Sequence, residues 1–114
     1  MTPSDLVRLR HMLDAAEAAI ADLRGRSRED LDSAPWLPRS VVQCLQVIGE
    51  AAARIDRKTQ ESLPEIPWAD MVAMRNRLVH AYWDVDLDVV WRTVAEDLPG
   101  LVSALDPLLR EGPD

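Results

Sequence analysis

The chain has 114 residues, enough to bury one core unaided, and 47% of them are apolar, which argues against a disordered segment. Its formal net charge of −7 argues against a protein that coats nucleic acid, so any phosphate site must be a local basic cleft. The lone Cys44 excludes an internal disulfide, and no Cys/His cluster has metal-ligand spacing, so neither a metal nor a cofactor is expected.

Phe is absent while Leu, Val and Ala dominate, which suits packed helices. The opening Met1-Thr2-Pro3-Ser4-Asp5 has no basic region leading into an apolar run, and no apolar stretch approaches membrane-spanning length, so a cytoplasmic protein is expected. Ser4 or Asp5 is predicted to cap a first helix that runs to about Gly25, with Leu6, Leu9, Leu13, Ala16, Ile20 and Leu23 as its apolar stripe and Met12 at the edge. Residues 26–38 read as a connector containing one helical turn at Arg28–Leu31. A second helix is predicted from about Arg39 to Gln60 on the seam Val41, Leu45, Ile48, Ala52 and Ile55. Pro64 and Pro67 break the chain before a third helix, which starts near Pro67-Trp68, turns Met71, Met74, Leu78 and Ala81 inward and ends near Trp83-Asp84. Asp86 caps a fourth helix with Leu87, Val90, Trp91, Val94 and Leu98 inward, and Pro99-Gly100 kinks or restarts the chain. The expected fold is all-α: one domain over residues 1–114, a bundle of four to five helices.

The third helix holds the residues with chemistry. Cleaving a phosphodiester through the neighbouring ribose hydroxyl needs an imidazole that titrates near neutrality and a cation for charge on the phosphoryl oxygens. His80 and Arg75 supply those types. Asn76 and His80 lie four apart on one face, so the amide can orient the imidazole. Arg75 and Tyr82, seven apart, share another face. Arg75 and His80 diverge by about 140° at 3.6 residues per turn and flank a strip holding Val72, Val79 and Trp83. That strip lies off the core stripe, and surplus apolar surface marks an interface. Two copies are therefore expected to pair through it about a two-fold axis, gathering two Arg75 and two His80 in one cleft, one imidazole as base and the other as acid. The bare Arg-to-His spacing does not decide the matter; the plainer alternatives are an exposed helix histidine and an Arg75 ion pair with Asp70 or Glu65.

The surrounding residues narrow it. The run from Met74 through Arg75, Asn76, His80, Tyr82 and Trp83 to Asp86 closely resembles the signature of HepT-like toxins of the HepT/MntA type, a branch of the HEPN superfamily. The likeness extends to Ile48-Gly49-Glu50-Ala51, Ile66-Pro67-Trp68, Val90-Trp91 and Asp97-Leu98-Pro99. The resemblance implies a dimeric helical ribonuclease that cuts RNA without metal and leaves a cyclic phosphate. It makes Arg75 and His80 the catalytic pair, with Asn76 and Tyr82 supporting. It also implies a nucleotidyltransferase antitoxin that silences the toxin by attaching AMP to Tyr82, placing a bulky anion beside Arg75. The alternative is a non-catalytic helical module that docks a nucleotidyltransferase and its nucleotide or substrate, a reading the acidic charge favours.

Other residues carry blander expectations. His11 is a solvated histidine opposite the first helix's stripe, and Cys44 a small, inert hydrophobe near the seam. Gly49 permits close helix packing, and Glu50 pairs with Arg54. Trp68 and Trp91 pack in the core or at helix ends, while Trp83 is open between packing and stacking on a base. Asp84, Asp86 and Asp88 lack the glycine and closing glutamate of a calcium loop.

Overall fold

A computed structural model describes the backbone of residues 1–80 and 86–110 and the side chains of residues 1–76 and 86–110. Helix α1 spans Pro3–Leu23 because the Thr2 hydroxyl accepts the Asp5 N–H at 3.1 Å and Pro3 occupies the first turn, where no N–H is required. The cap is thus Thr2, not Ser4 or Asp5, and Asp5 is buried. Leu9, Met12, Leu13, Ala16, Ala19 and Leu23 form the buried face. Met12 is fully buried, not marginal, because α1 packs against helices on two sides and needs a wider face than one stripe. Gly25 follows the helix end with φ +75°, the left-handed conformation that suits a C-terminal glycine.

After α2 (Asp30–Ser33), two residues later than expected, α3 spans Trp36–Arg54. It starts three residues before the expected Arg39, and Pro38 is tolerated in its first turn, where the N–H groups have no intrahelical partners. Its buried seam is Leu37, Val41, Leu45, Ile48, Gly49, Ala51 and Ala52.

The helix expected to continue to Gln60 stops instead at Ile55, which is extended, and α4 (Arg57–Ser62) restarts the coil. Side chains from elsewhere satisfy the broken ladder. The buried Asp5 carboxylate accepts the Asp56 N–H at 3.2 Å and the Thr59 hydroxyl at 2.6 Å. Gln60 donates to the carbonyls of Ala52 and Ile55, and Arg8 donates to that of Arg54.

Helix α5 spans Trp68–His80. The Trp68 indole N–H donates to the carbonyls of Gln60 (3.1 Å) and Leu63 (3.0 Å), so Trp68 joins the end of α4 to the start of α5, a helix-end role as expected. Asp86 caps α6 (Leu87–Arg92) by accepting the N–H groups of Asp88 and Val89. The coil then runs through a π turn (Thr93–Asp97) directly into α7 (Leu98–Arg110).

Pro99-Gly100 was expected to kink or restart the chain, and a new α-helix begins beside it at Leu98. A proline at that point has no N–H and crowds the carbonyl four residues back. The wider π turn, in which Leu98 N–H reaches the Thr93 carbonyl, lies just upstream and puts Pro99 in the first turn of α7.

All the regular structure among the described residues is helical: four long runs (α1, α3, α5 and 87–110) and two short helices, in keeping with the expected bundle. Helix α1 packs on α3 and α7, and α5 packs on the opposite flank of α3. No helix among the described residues is long and apolar enough to cross a membrane.

Candidate active site

Met71 and Met74 are buried and fix the rotation of α5 on the bundle. Arg75, the next residue, is half-buried. Its stem lies against α3 at Gly49: a Cβ built on Gly49 would overlap the Arg75 Cβ outright, and would stand 2.8 Å from its Cγ and 3.0 Å from the Met71 carbonyl oxygen. Gly49 therefore admits close helix packing, as expected, and its contact is the candidate arginine itself.

The far end of Arg75 is also held. One guanidinium nitrogen donates to the Asn76 amide oxygen at 3.0 Å, while Nε is buried with no hydrogen-bond partner among the described residues. The alternative ion pair with Asp70 or Glu65 does not form; both carboxylates line a groove on the other side of α5. Asn76 was expected to orient His80, whose side chain lies outside the described residues; its amide oxygen accepts from Arg75. His80 is the last described residue of α5, five positions or about 7.5 Å of helix rise beyond Arg75. The His80 side chain, Tyr82 and Trp83 lie outside the described residues, as do Leu78's side chain and Ala81.

Of the strip proposed for pairing, Val72 is half-buried and packs against the core, so it is less surplus than expected; Val79's side chain lies outside the described residues with Trp83. Asp86 and Asp88 both have structural work. Asp86 caps α6, and Asp88 accepts from Arg28 Nε at 2.6 Å, with Asp32 on the same guanidinium at 3.0 Å. The Arg28 link braces the connector after α1 against the point where the chain returns from the motif. Sequence reasoning missed it, because nothing local to either residue signals a partner sixty positions away.

His11 is exposed as expected, beside Arg8, Glu50 and Arg54 in a groove of about 350 Å³ between α1 and α3. Cys44 is half-buried, and burial together with the negative charge of Asp22 pushes its thiol up, which keeps it protonated and inert at neutral pH. A second groove of about 510 Å³, between α5 and the π turn with α7, has a floor of Met71, Met74 and Leu101 and a rim of Glu65, Asp70, Glu96 and Asp97.

The chain's relatives bear on this arrangement. A family model described as Ribonuclease HepT-like matches residues 12–108. A candidate RNase of Caldanaerobacter subterraneus subsp. tengcongensis is 31% identical over 103 residues, which cover 90% of this chain and 92% of that protein. The probable ribonuclease HepT of Thermococcus cleftensis is 44% identical over 69 residues, 60% of this chain and 63% of that one. A candidate RNase of Methanocaldococcus jannaschii is 40% identical over 67 residues, 59% and 62% of the two chains. No solved structure matches.

Proposed function

Since the chain belongs to the HepT-like ribonuclease family, we propose that it is an endoribonuclease acting through Arg75 and His80, and the toxin of a toxin–antitoxin pair. The observation that carries this reading is the restraint on Arg75. Its stem is fitted to Gly49 and its head is held by Asn76, on the helix whose next turns bring His80. An arginine held at both ends is preorganised for charge that develops in a transition state.

In the proposed reaction an imidazole removes the proton of a ribose 2′-hydroxyl, whose oxygen attacks the adjacent phosphorus. Arg75 stabilises the charge gathering on the non-bridging oxygens. The bond from phosphorus to the 5′-oxygen breaks, that oxygen takes a proton from a second, protonated imidazole, and a 2′,3′-cyclic phosphate remains. Two copies of the chain, paired through the α5 face around Val72, Val79 and Trp83, supply the two His80 side chains. The pairing also concentrates positive charge locally on a protein of net charge −7.

The test is incubation of the purified chain with RNA in excess chelator. The wild type is expected to yield ends bearing a cyclic phosphate, with Arg75→Ala and His80→Ala slower by about 10²–10⁴-fold. Equal cleavage by all three proteins would overturn the reading.

A nucleotidyltransferase partner that attaches AMP to Tyr82 fits the same site, because a phosphate placed near Arg75 competes with the substrate phosphodiester. The expected signature is a mass gain of one adenylate on co-expression with such a partner, absent in Tyr82→Phe.

The acid-rimmed groove between α5 and α7 favours a second reading, a non-catalytic module that docks a partner with basic surface. In that case partner binding survives both Arg75→Ala and His80→Ala while RNA stays intact with every version of the chain.

A further inference from the structure

We infer that Gly49 is a positioning residue of the site: the missing side chain at position 49 sets where the Arg75 guanidinium stands. A glycine in mid-helix weakens the helix relative to alanine, and Ala51, Ala52 and Ala53 stand just beyond Glu50 in the same α3, so its place at 49 has to be explained by space. The space is taken by Arg75. The atom that a Cβ at 49 would meet first is the Arg75 Cβ, which is fixed to the α5 backbone and has no rotamer to escape into. The Met71 carbonyl oxygen at 3.0 Å, one turn earlier, belongs to the same helix backbone.

An alanine at 49 is therefore accommodated only if α5 moves away from α3. Restoring ordinary carbon–carbon separation of about 3.5–4.0 Å requires a displacement of roughly 1 Å or more. That motion lifts the arginine stem from its seat. It also exposes Nε, which is buried without a partner among the described residues. The consequence for rate rests on the ribonuclease reading above; the placement of Arg75 rests on packing alone.

The experiment combines three readouts. Nitrogen-15 NMR of the arginine Nε–H groups, with the Arg75 signal assigned by its loss in Arg75→Lys, is expected to show that signal shifted and exchanging faster with water in Gly49→Ala. RNA cleavage by Gly49→Ala is expected to fall by about 10²-fold, the scale of a 1 Å misplacement.

The size swap Gly49→Ala/Arg75→Gly, which removes the colliding Cβ, is expected to regain the wild-type melting temperature without activity, even if Gly49→Ala alone does not fold. An unchanged Nε–H signal, cleavage by Gly49→Ala at the wild-type rate, or a swap that melts no higher than Gly49→Ala would overturn the inference. Equal cleavage by wild type and Arg75→Ala would instead remove the ribonuclease reading, with the NMR and melting results still deciding what Gly49 does.

Discussion

At the scale of single residues the site turns on a guanidinium held at both ends. Lysine keeps the charge but offers a single ammonium, which cannot keep the Asn76 bond and face a phosphate with the geometry of a planar fork. Arg75→Lys is therefore expected to lower the single-turnover cleavage rate by about 10²-fold, close to the loss from removing one preorganised donor. Asn76→Ala, which leaves Arg75 in place and removes its restraint, should cost about tenfold. A lysine variant with the wild-type rate would show that charge alone suffices. How much of this site was legible in the sequence differs residue by residue. Arg75 and His80 stood out as chemical types, but their spacing was not decisive and the surrounding motif identified them. Gly49 was legible as a packing glycine. Its partner was not, because where two helices cross depends on the whole bundle rather than on either segment. Asn76 has a neighbour that its four-residue spacing to His80 did not announce: the adjacent arginine is long enough to fold back onto its amide oxygen.

At the scale of elements, what was readable was local and what was missed was tertiary. The cap at Asp86 and the start of α5 after Pro67 depend on residues a few positions apart, and both stand where expected. The break between α3 and α4 has no glycine or proline to announce it. It exists because Asp5, Arg8 and Gln60 take up the backbone groups it frees. Hydrogen bonds from Thr59, Asp56 and Thr2, with the charge of Arg8 nearby, outweigh burial and hold the Asp5 carboxyl below its ordinary value. A carboxyl lowered in the folded state contributes stability that is complete above its unfolded value of about 3.9 and is lost as pH falls through the folded one. Asp5→Asn is accordingly expected to melt well below the wild type at pH 7, with the gap closing as the pH drops below about 4. Thermal melts across pH 2.5–7 read this directly, and a gap independent of pH would show that shape rather than charge matters at Asp5. Thr2→Ala, which removes the cap, should cost about 1 kcal/mol at pH 7, measured by urea denaturation.

At the scale of the whole molecule, net charge opposes the proposed substrate. RNA approaching a chain of charge −7 is repelled from beyond contact distance, and a groove rimmed by Glu65, Asp70, Glu96 and Asp97 adds to that on one side of α5. Salt screens the long-range repulsion before it weakens short contacts, because the screening length falls from about 30 Å at 0.01 M to about 8 Å at 0.15 M. Cleavage of dilute RNA is thus expected to speed up as salt rises from about 10 mM towards 100 mM and to slow beyond it. A steep fall from the lowest salt onward would point to many phosphate contacts and a basic surface elsewhere. The clasp around Asp5 also orders events in time. The first turn of α1 leaves the ribosome long before Asp56 and Thr59 exist, so until they emerge its carboxylate has no reason to leave water. Trp68 in turn hangs on the carbonyls of Gln60 and Leu63, so the start of the helix bearing Arg75 is not tied down before that corner closes. A nascent chain therefore sets its candidate arginine near the end of assembly, and fragments that stop short of residue 59 should remain open to protease along their whole length.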